Sequence, residues 1–359
     1  MKIAIVQDWF EKHGGAEWVV ENLLIEFPEA DVWTLWDDSN ISESTGVNVH
    51  TSFMQRLPSR FRRPVSVFLA PMYWRWGLPS REYDVVVCCS HQFAHMANFG
   101  SKATFSIGYF YTPCRYVWFP ELDRRLSKPG LNLWRQVLRI LDRRWSNVTQ
   151  RVAISQSVSE RIQRVWNSPS TVIYPPVRLK LGGDQCLESV ESDPYFISFG
   201  RLIDYKNHQM AIRKSAELGF KLVIAGSGPL EAELRELAHE LGAQVSFHIA
   251  PSDQEVVSLI RGARALLFLG EEDFGIVPLE ATALGTPVIA LAKSGALETV
   301  VSGVSGHLFS TESEFDQLIL EFDVSWNETV IETHLAKFEP ASFRNSFRKT
   351  IVRGSREFS

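Results

Sequence analysis

Short apolar runs alternate along the chain with longer stretches whose apolar residues return every three or four positions. The runs at 2–7, 30–36, 84–89, 102–109, 151–155 and 171–174 have the length and bulk of buried strands. Between them, 17–27, 131–147 and 158–166 show one-sided spacing and predict helices. Val19, Val20, Leu23, Leu24 and Phe27 mark the first, and Leu133, Trp134, Val137, Leu138, Leu141 and Trp145 the second. A second series follows, with strands predicted at 195–199, 221–225, 245–249, 265–269 and 288–291, and helices at 209–218, 230–241, 253–261 and 278–284. Phe343, Phe347, Ile351 and Val352 then recur at helical intervals through 341–358. Strand and helix alternate throughout, so the fold class is α/β with doubly wound parallel sheets.

The two series meet at 178–194, a polar stretch with Gly182, Gly183 and Pro194. A chain of 359 residues exceeds what one core normally supports. We therefore expect a first domain over 1–178, a linker over 179–194 and a second domain over 195–340.

Composition narrows the function classes. Apolar residues make up 45% and charged residues 22%, as in ordinary globular protein. No run approaches the roughly 18 apolar residues of a membrane span, and the opening MKIAIVQDWF is too short for a signal-peptide core. Cys88, Cys89, Cys114 and Cys186 form neither a CxxC pair nor a metal-finger spacing. A reducing, cytoplasmic setting with no metal is expected. Charge is uneven: residues 1–180 hold 22 Lys and Arg against 16 Asp and Glu, and residues 181–359 hold 15 against 26. The basic half suits an acidic acceptor or the anionic inner face of a membrane. No nucleic-acid motif accompanies it. Residues 52–79 sharpen the membrane question, because Arg56, Arg60, Arg62, Arg63 and Arg75 interleave with Phe53, Phe61, Phe68, Tyr73, Trp74 and Trp76. Such a segment lies on an interface, or its arginines are solvated while its aromatics enter the core. Prolines interrupting the period favour the second reading.

Candidate chemistry concentrates in 263–291, a strand, an acidic loop (Glu271, Glu272, Asp273), a helix and a strand. Pro278 fits the first helical position and Gly285 the left-handed cap. Amides around 275–277 would face out of a helix N-terminus, ready for phosphate. Glu280 either caps that helix or holds ligand hydroxyls together with Glu272. Arg201 and Lys206 follow the first strand of the second domain. They are ordinary surface charges or a diphosphate clamp in line with the turns at Gly226 and Gly275. In the first domain, Gly15 lies in a Gly-rich loop after the first strand and Asp8. His91, Tyr111 and Arg115 lie at or just beyond two further strand ends, where open α/β sheets bind ligands.

Together Gly200-Arg201…Lys206, Ala225-Gly226-Ser227-Gly228-Pro229 and Glu272-Asp273-Phe274-Gly275…Leu279-Glu280-Ala281 resemble the signature of retaining nucleotide-sugar glycosyltransferases. The family is glycosyltransferase family 4, with the GT-B fold of two facing Rossmann-like domains. Gly14-Gly15-Ala16-Glu17, Ser90-His91, Thr112-Pro113, Arg115-Tyr116 and 172–177 are similar to a bacterial subgroup rich in mannosyltransferases of surface-polysaccharide assembly. The chain departs from that subgroup at Tyr111, where relatives often carry His, and at His248-Ile249, where they tend to carry Leu-Gly.

The resemblance implies roles. Gly200, Arg201 and Lys206 would bind the donor diphosphate and stabilise it as leaving group. Glu272 and the backbone of Phe274, Gly275, Ile276 and Val277 would hold the donor sugar, and Glu280 the ribose. Gly226, His248 and Ile249 would border the base, and Gly15 would let backbone approach the phosphate or the sugar. His91 would touch the reacting sugar, leaving Asp8, Tyr111 and Arg115 on the acceptor side. No cofactor or metal is implied, the charge being met by Arg, Lys and helix N-termini. The partners implied are a nucleotide sugar, GDP-mannose as first guess, and a glycan or lipid-linked acceptor. The tail helix over 341–359 would cross back to the first domain. Other readings of the same residues are a UDP-sugar transferase, a non-catalytic nucleotide-sugar-binding subunit, and an epimerase or phosphorylase of this fold.

Overall fold

The structure, a computed structural model, describes residues 1–11, 15–100, 105–121, 123–126, 130–179 and 193–357. It divides into two compact units: Met1–Pro176 with Pro340–Ser359, and Val177–Glu339. The linker expected at 179–194 falls almost wholly outside the described residues, as do Gly14 and Cys186.

The first unit is built on a seven-stranded parallel sheet in the order β3-β2-β1-β4-β5-β6-β7. Its strands are β1 Ile3–Gln7, β2 Asp31–Thr34, β3 Val49–Thr51, β4 Val85–Ser90, β5 Phe105–Phe110, β6 Gln150–Ala153 and β7 Thr171–Val172. β1, β4 and β5 are buried along their whole length, which is why they read as continuous apolar runs. The second unit has six parallel strands in the order β10-β9-β8-β11-β12-β13. These are β8 Phe196–Phe199, β9 Leu222–Gly226, β10 Val245–Ile249, β11 Ala265–Phe268, β12 Val288–Leu291 and β13 Gly306–Phe309. Each sheet reverses its winding beside its first strand, between β1 and β4 and between β8 and β11. Ligands of doubly wound sheets bind at the carboxyl end of that reversal.

The tail helix Pro340–Glu357 belongs to the first unit, as expected. Phe343 and Phe347 pack edge-on against Tyr109 with ring centroids 5.8 and 5.2 Å apart. Arg344 donates to Asn22 at 2.7 Å and Arg348 pairs with Glu26, tying the tail to the helix Gly15–Glu26. Two parallel-sheet units, with the tail helix returned to the first, make the two-domain, Rossmann-like GT-B fold.

Several boundaries differ from the pattern. The edge strands β3 (VHT) and β13 (GHLF) carry no apolar run of strand length. Pro278 is not the first residue of its helix, which runs Ile276–Ala283 from a left-handed Gly275 (φ 94°). Pro64 and Pro71 do not break residues 52–79 as expected but lie inside the helix Ser59–Met72. The carbonyl that Pro71 deprives of its helical donor is that of Val67, and the Trp134 indole N–H donates to it at 3.4 Å. Cys88, Cys89 and Cys114 are buried free thiols. No helix among the described residues is long and apolar enough to cross a membrane.

Candidate functional site

In the second unit the reversal between β8 and β11 brings two loops into backbone contact. One follows β8 and carries Gly200, Arg201 and Lys206; the other follows β11 and carries Gly270, Glu272 and Gly275. A Cβ on Gly270 would stand 2.4 Å from the Tyr205 carbonyl, so only glycine permits this approach. On the other side Gly226, at φ 144°, packs against Gly200 so closely that a Cβ would meet its carbonyl at 1.9 Å. Leu202 N donates to Ser227 O at 2.9 Å, and Ala250 N to Gly226 O at 3.0 Å. The Gly226 turn and the end of β10, with His248 and Ile249, thus sit on the same carboxyl edge.

Lys206 and Glu272 form an ion pair at the centre of this arrangement, both side chains being mostly covered. The ammonium also lies 5.9 Å from the Phe268 ring centroid. Arg201 is exposed, and no ion pair engages its guanidinium among the described residues. A buried histidine that the pattern did not single out holds this loop. His208 takes a hydrogen bond from Ser198 Oγ at Nδ1 (2.8 Å), and its Nε2 donates to Arg201 O (3.1 Å). Burial lowers its pKa to about 4, so the ring is neutral and that tautomer is the one both bonds require. A histidine at the first residue of the helix His208–Leu218 carries no sign of this role in the sequence.

The β11 loop ends at the N-terminus of the helix Ile276–Ala283, which no side chain caps. Phe274 is buried against Phe338, leaving the backbone of 275–277 as the polar face of the turn. Gly295 N donates to Glu272 O at 2.9 Å, and Ser294 Oγ to Glu271 Oε1 at 3.1 Å, so a second loop braces the acidic one. Glu280 does not cap its helix, and its carboxyl group accepts no hydrogen bond among the described residues. Burial raises its pKa to about 7, Arg178 opposing the shift and Asp253 adding to it. His248 pairs through Nδ1 with Glu255 at 2.8 Å. The expected donor residues of this unit therefore share one sheet edge: an exposed cation, an ion-paired Lys and Glu, an open helix N-terminus and a half-buried carboxyl.

The first unit repeats the geometry at β1 and β4. Asp8, expected on the acceptor side, is fully buried instead. Its Oδ2 accepts from the amides of His91 (2.8 Å) and Gln92 (2.7 Å), and its Oδ1 from Phe93 (3.0 Å) and Ala94 (2.9 Å). With four amides on it, the carboxylate is filled and serves as the anchor of the loop carrying His91. The His91 ring stands edge-on to Trp9, centroids 4.3 Å apart, with Nδ1 3.6 Å from Asp8 Oδ2. Its pKa is lowered by burial, against the pull of Asp8 and Glu11. Tyr111 turns its hydroxyl towards Gln7 Oε1 (3.3 Å) and Ala16 O (3.4 Å), and Arg115 opens the short helix Arg115–Trp118. Gly15 is the first residue of its helix. Glu17, given no role beforehand, is buried and accepts from Glu11 N at 2.6 Å.

Two Rossmann-like units with ligand-ready edges at both reversals define a GT-B protein. Residues 184–322, most of the second unit, match the family described as Glycosyl transferases group 1. An uncharacterized glycosyltransferase of Methanocaldococcus jannaschii is 30% identical over 178 residues, which cover 44% of this chain and 46% of that protein. A D-inositol 3-phosphate glycosyltransferase of Acidothermus cellulolyticus is 31% identical over 194 residues, covering 47% and 42%. The chain thus spans less than half the length of these curated relatives. Among solved structures, Anabaena HepE in complex with UDP superposes with a TM-score of 0.72 at 18% identity, covering 98% of this chain and 100% of that one.

Proposed function

We propose that the protein is a retaining, metal-independent glycosyltransferase that moves a hexose from a nucleotide-sugar donor to a glycan or lipid-linked glycan of bacterial surface-polysaccharide synthesis. The observation that carries this reading is the Lys206–Glu272 pair beside the open N-terminus at Ile276, with Arg201 exposed on the adjoining loop. A diphosphate offers oxygens to the cations and the amides, and a sugar offers hydroxyls to the carboxylate. Arg201 and Lys206 then carry the charge that grows on the departing diphosphate, as preorganised groups do without a metal.

In the step proposed, the acceptor oxygen bonds to the anomeric carbon as the bond from that carbon to the phosphate oxygen breaks. The acceptor proton passes to the departing phosphate oxygen, so no protein nucleophile is needed. Glu280 holds the ribose hydroxyls, His91 contacts the reacting sugar, and the carboxyl edge at Tyr111 and Arg115 serves the acceptor side. GDP-mannose is the first donor to test. A UDP-sugar is the second, favoured by the UDP and UDP-glucose held by Anabaena HepE.

The test is a thermal-shift series with GDP-mannose, UDP-glucose and their ADP and dTDP counterparts, followed by assay of nucleoside diphosphate release. A ligand at 100 times its Kd stabilises by about 2.7 kcal/mol, a readily measured rise in Tm. One donor should raise the Tm and be consumed. If no nucleotide sugar shifts the melt and none is turned over, the reading fails. Binding without any turnover, even with acceptor glycans present, would favour a non-catalytic subunit.

A further inference from the structure

Away from both strand edges, one face of the first unit carries chemistry that the proposed reaction does not use. The helix Ser59–Met72, its continuation Tyr73–Gly77 and the helix Asn132–Trp145 lie side by side. Phe68 stacks on Trp134 with centroids 5.6 Å apart, and Trp76 meets Trp145 edge-on at 4.8 Å. The outer surface of this pair carries large apolar side chains among its arginines. Phe61, Phe68, Met72 and Trp76 follow one another at helical intervals, and Trp76 is 67% exposed. On the neighbouring helix Leu133 is 76% and Ile140 55% exposed. Single exposed apolar residues are normal, but a joined set of large ones marks an interaction surface.

Charge says what covers it. Residues 52–79 and 132–145 contain nine arginines and one carboxylate, Asp142. That carboxylate is fully buried, accepts from the Trp118 and Trp166 indoles at 2.8 Å each and lies 3.0 Å from His95 Nε2. Arg62 and Arg63 are paired with Asp38 and Glu11. Arg139, Arg143 and Arg144 form no close ion pair among the described residues, Glu121 acting on Arg139 only through its field. With Trp118, Gln136 and Ile140 they line an open cavity of about 350 Å³. Two of the three are preset: Arg139 and Arg143 lie 5.2 and 4.8 Å from the Trp118 ring centroid. Their Nε atoms donate to Val117 O (2.9 Å) and Val165 O (3.1 Å). Their remaining N–H groups are left to an outside anion. Exposed aliphatic Leu133, Ile140 and Met72 gain nothing from a nucleic acid, whereas acyl chains and headgroups accept both the aliphatic and the aromatic residues.

We propose that this face docks on an anionic phospholipid bilayer, the Phe61–Trp76 ridge with Leu133 and Ile140 entering at headgroup level and a lipid phosphate seated among Arg139, Arg143 and Arg144. The inference is independent of the donor reading, since no residue of the second unit takes part.

Flotation of the full chain with phosphatidylcholine vesicles, with and without phosphatidylglycerol as a third of the lipid, tests it. The chain should float with the anionic vesicles only, and raised salt should release it. Replacing Arg139, Arg143 and Arg144 by Ala should weaken vesicle binding by about 100-fold, each arginine near a charged surface being worth roughly fivefold. Leu133→Ser with Ile140→Ser, both on the exposed face, should weaken it similarly while the melting temperature is kept. Arg144→Glu alone, free of the Trp118 stack, guards against misfolding of the triple variant. Equal flotation with neutral vesicles, flotation unchanged in all three variants, or absence of flotation overturns the proposal. So does displacement from vesicles by inorganic phosphate or by a single-stranded RNA with equal effect in wild type and variants.

Discussion

Lys206 and Glu272 stand 66 positions apart in the chain and form an ion pair where the second sheet reverses its winding. The pairing matters because each residue has a separate expected partner in the donor, diphosphate for the lysine and sugar hydroxyls for the carboxylate. Held against each other, both are presented at one spot without a ligand, which lowers the ordering cost of binding. Replacing Glu272 by Ala removes the sugar contact and leaves Lys206 mispositioned. Transfer should fall by about 100-fold or more, the size of loss seen when one preorganised transition-state contact is removed. The variant should still melt cooperatively and bind the free nucleoside diphosphate. Undiminished turnover in Glu272→Ala would falsify the assignment.

Glu280 gives a prediction with a sign. Burial raises its pKa from 4.5 to about 7, so the folded chain keeps a proton that the unfolded chain releases near pH 4.5. Between those values the folded state binds more protons, and stability must fall as pH rises. The contribution is whole below pH 4.5 and gone above pH 7, a difference on the order of 3 kcal/mol. Glu280→Gln abolishes that slope, so the variant should match the parent at pH 4.5 and exceed it at pH 8 in urea denaturation. Ribose hydroxyls would donate to the ionised form, so nucleotide binding near pH 6.5 should release a proton. Calorimetry in two buffers of different ionisation enthalpy detects it. Parallel pH profiles for parent and variant would contradict the burial argument.

Arg201, Lys206, Glu272 and Gly275 could be placed beforehand because their position depends only on which loop follows which strand. Strand–helix alternation shows that directly. What escaped depends on contacts that local pattern does not encode. His208 reads as one more polar residue near a helix start, yet its two ring nitrogens join Ser198 to the Arg201 carbonyl. Asp8 reads as a strand-end carboxylate free to meet a ligand. Only the fold shows its four lone-pair positions filled by amides more than eighty residues away. Pro278 suggested the helix start because proline favours that position, but Gly275 alone can adopt the left-handed turn, so the helix begins at Ile276. Pro64 and Pro71 suggested an interrupted segment, and a tryptophan from another helix supplies the missing donor to Val67.

Gly226 and Gly285 both have positive φ, at 144° and 83°, and separate two effects that a glycine can hide. A Cβ on Gly285 meets nothing within 4 Å, so Gly285→Ala should cost only the backbone strain, about 1–2 kcal/mol. A Cβ on Gly226 would stand 1.9 Å from the Gly200 carbonyl, and that carbonyl belongs to the loop that carries Arg201 and Lys206. Gly226→Ala must therefore push this loop away from β9. It should destabilise by more than about 4 kcal/mol, the range in which a mutation needs a named steric cause. Any folded fraction should lose nucleotide binding. Equal denaturation midpoints for the two variants would show that the close approach at Gly226 is not required.

Asp8 and His91 divide anchoring from contact in the first unit. Four amide donors converge on the Asp8 carboxylate, three of them buried and that of His91 partly so, and bonds to a charged acceptor are about twice as strong as neutral ones. Asp8→Ala leaves those four N–H groups unpaired away from water, at about 1–3 kcal/mol for each group that finds no new partner. Relaxation and water entry reduce the sum, and a loss of about 3–5 kcal/mol or outright failure to fold is expected. Asp8→Asn is the milder probe, since the amide oxygen can keep one pair of donors while the NH₂ opposes the other. It should lose about 2–4 kcal/mol and remain folded. His91 is partly exposed and its ring rests against Trp9, beside Asp8 and 6.2 Å from the Tyr111 ring, so His91→Ala should cost less than about 1.5 kcal/mol. Equilibrium urea unfolding of the three variants orders them. A His91→Ala loss as large as that of Asp8→Asn would mean that the ring, not the carboxylate, holds the loop.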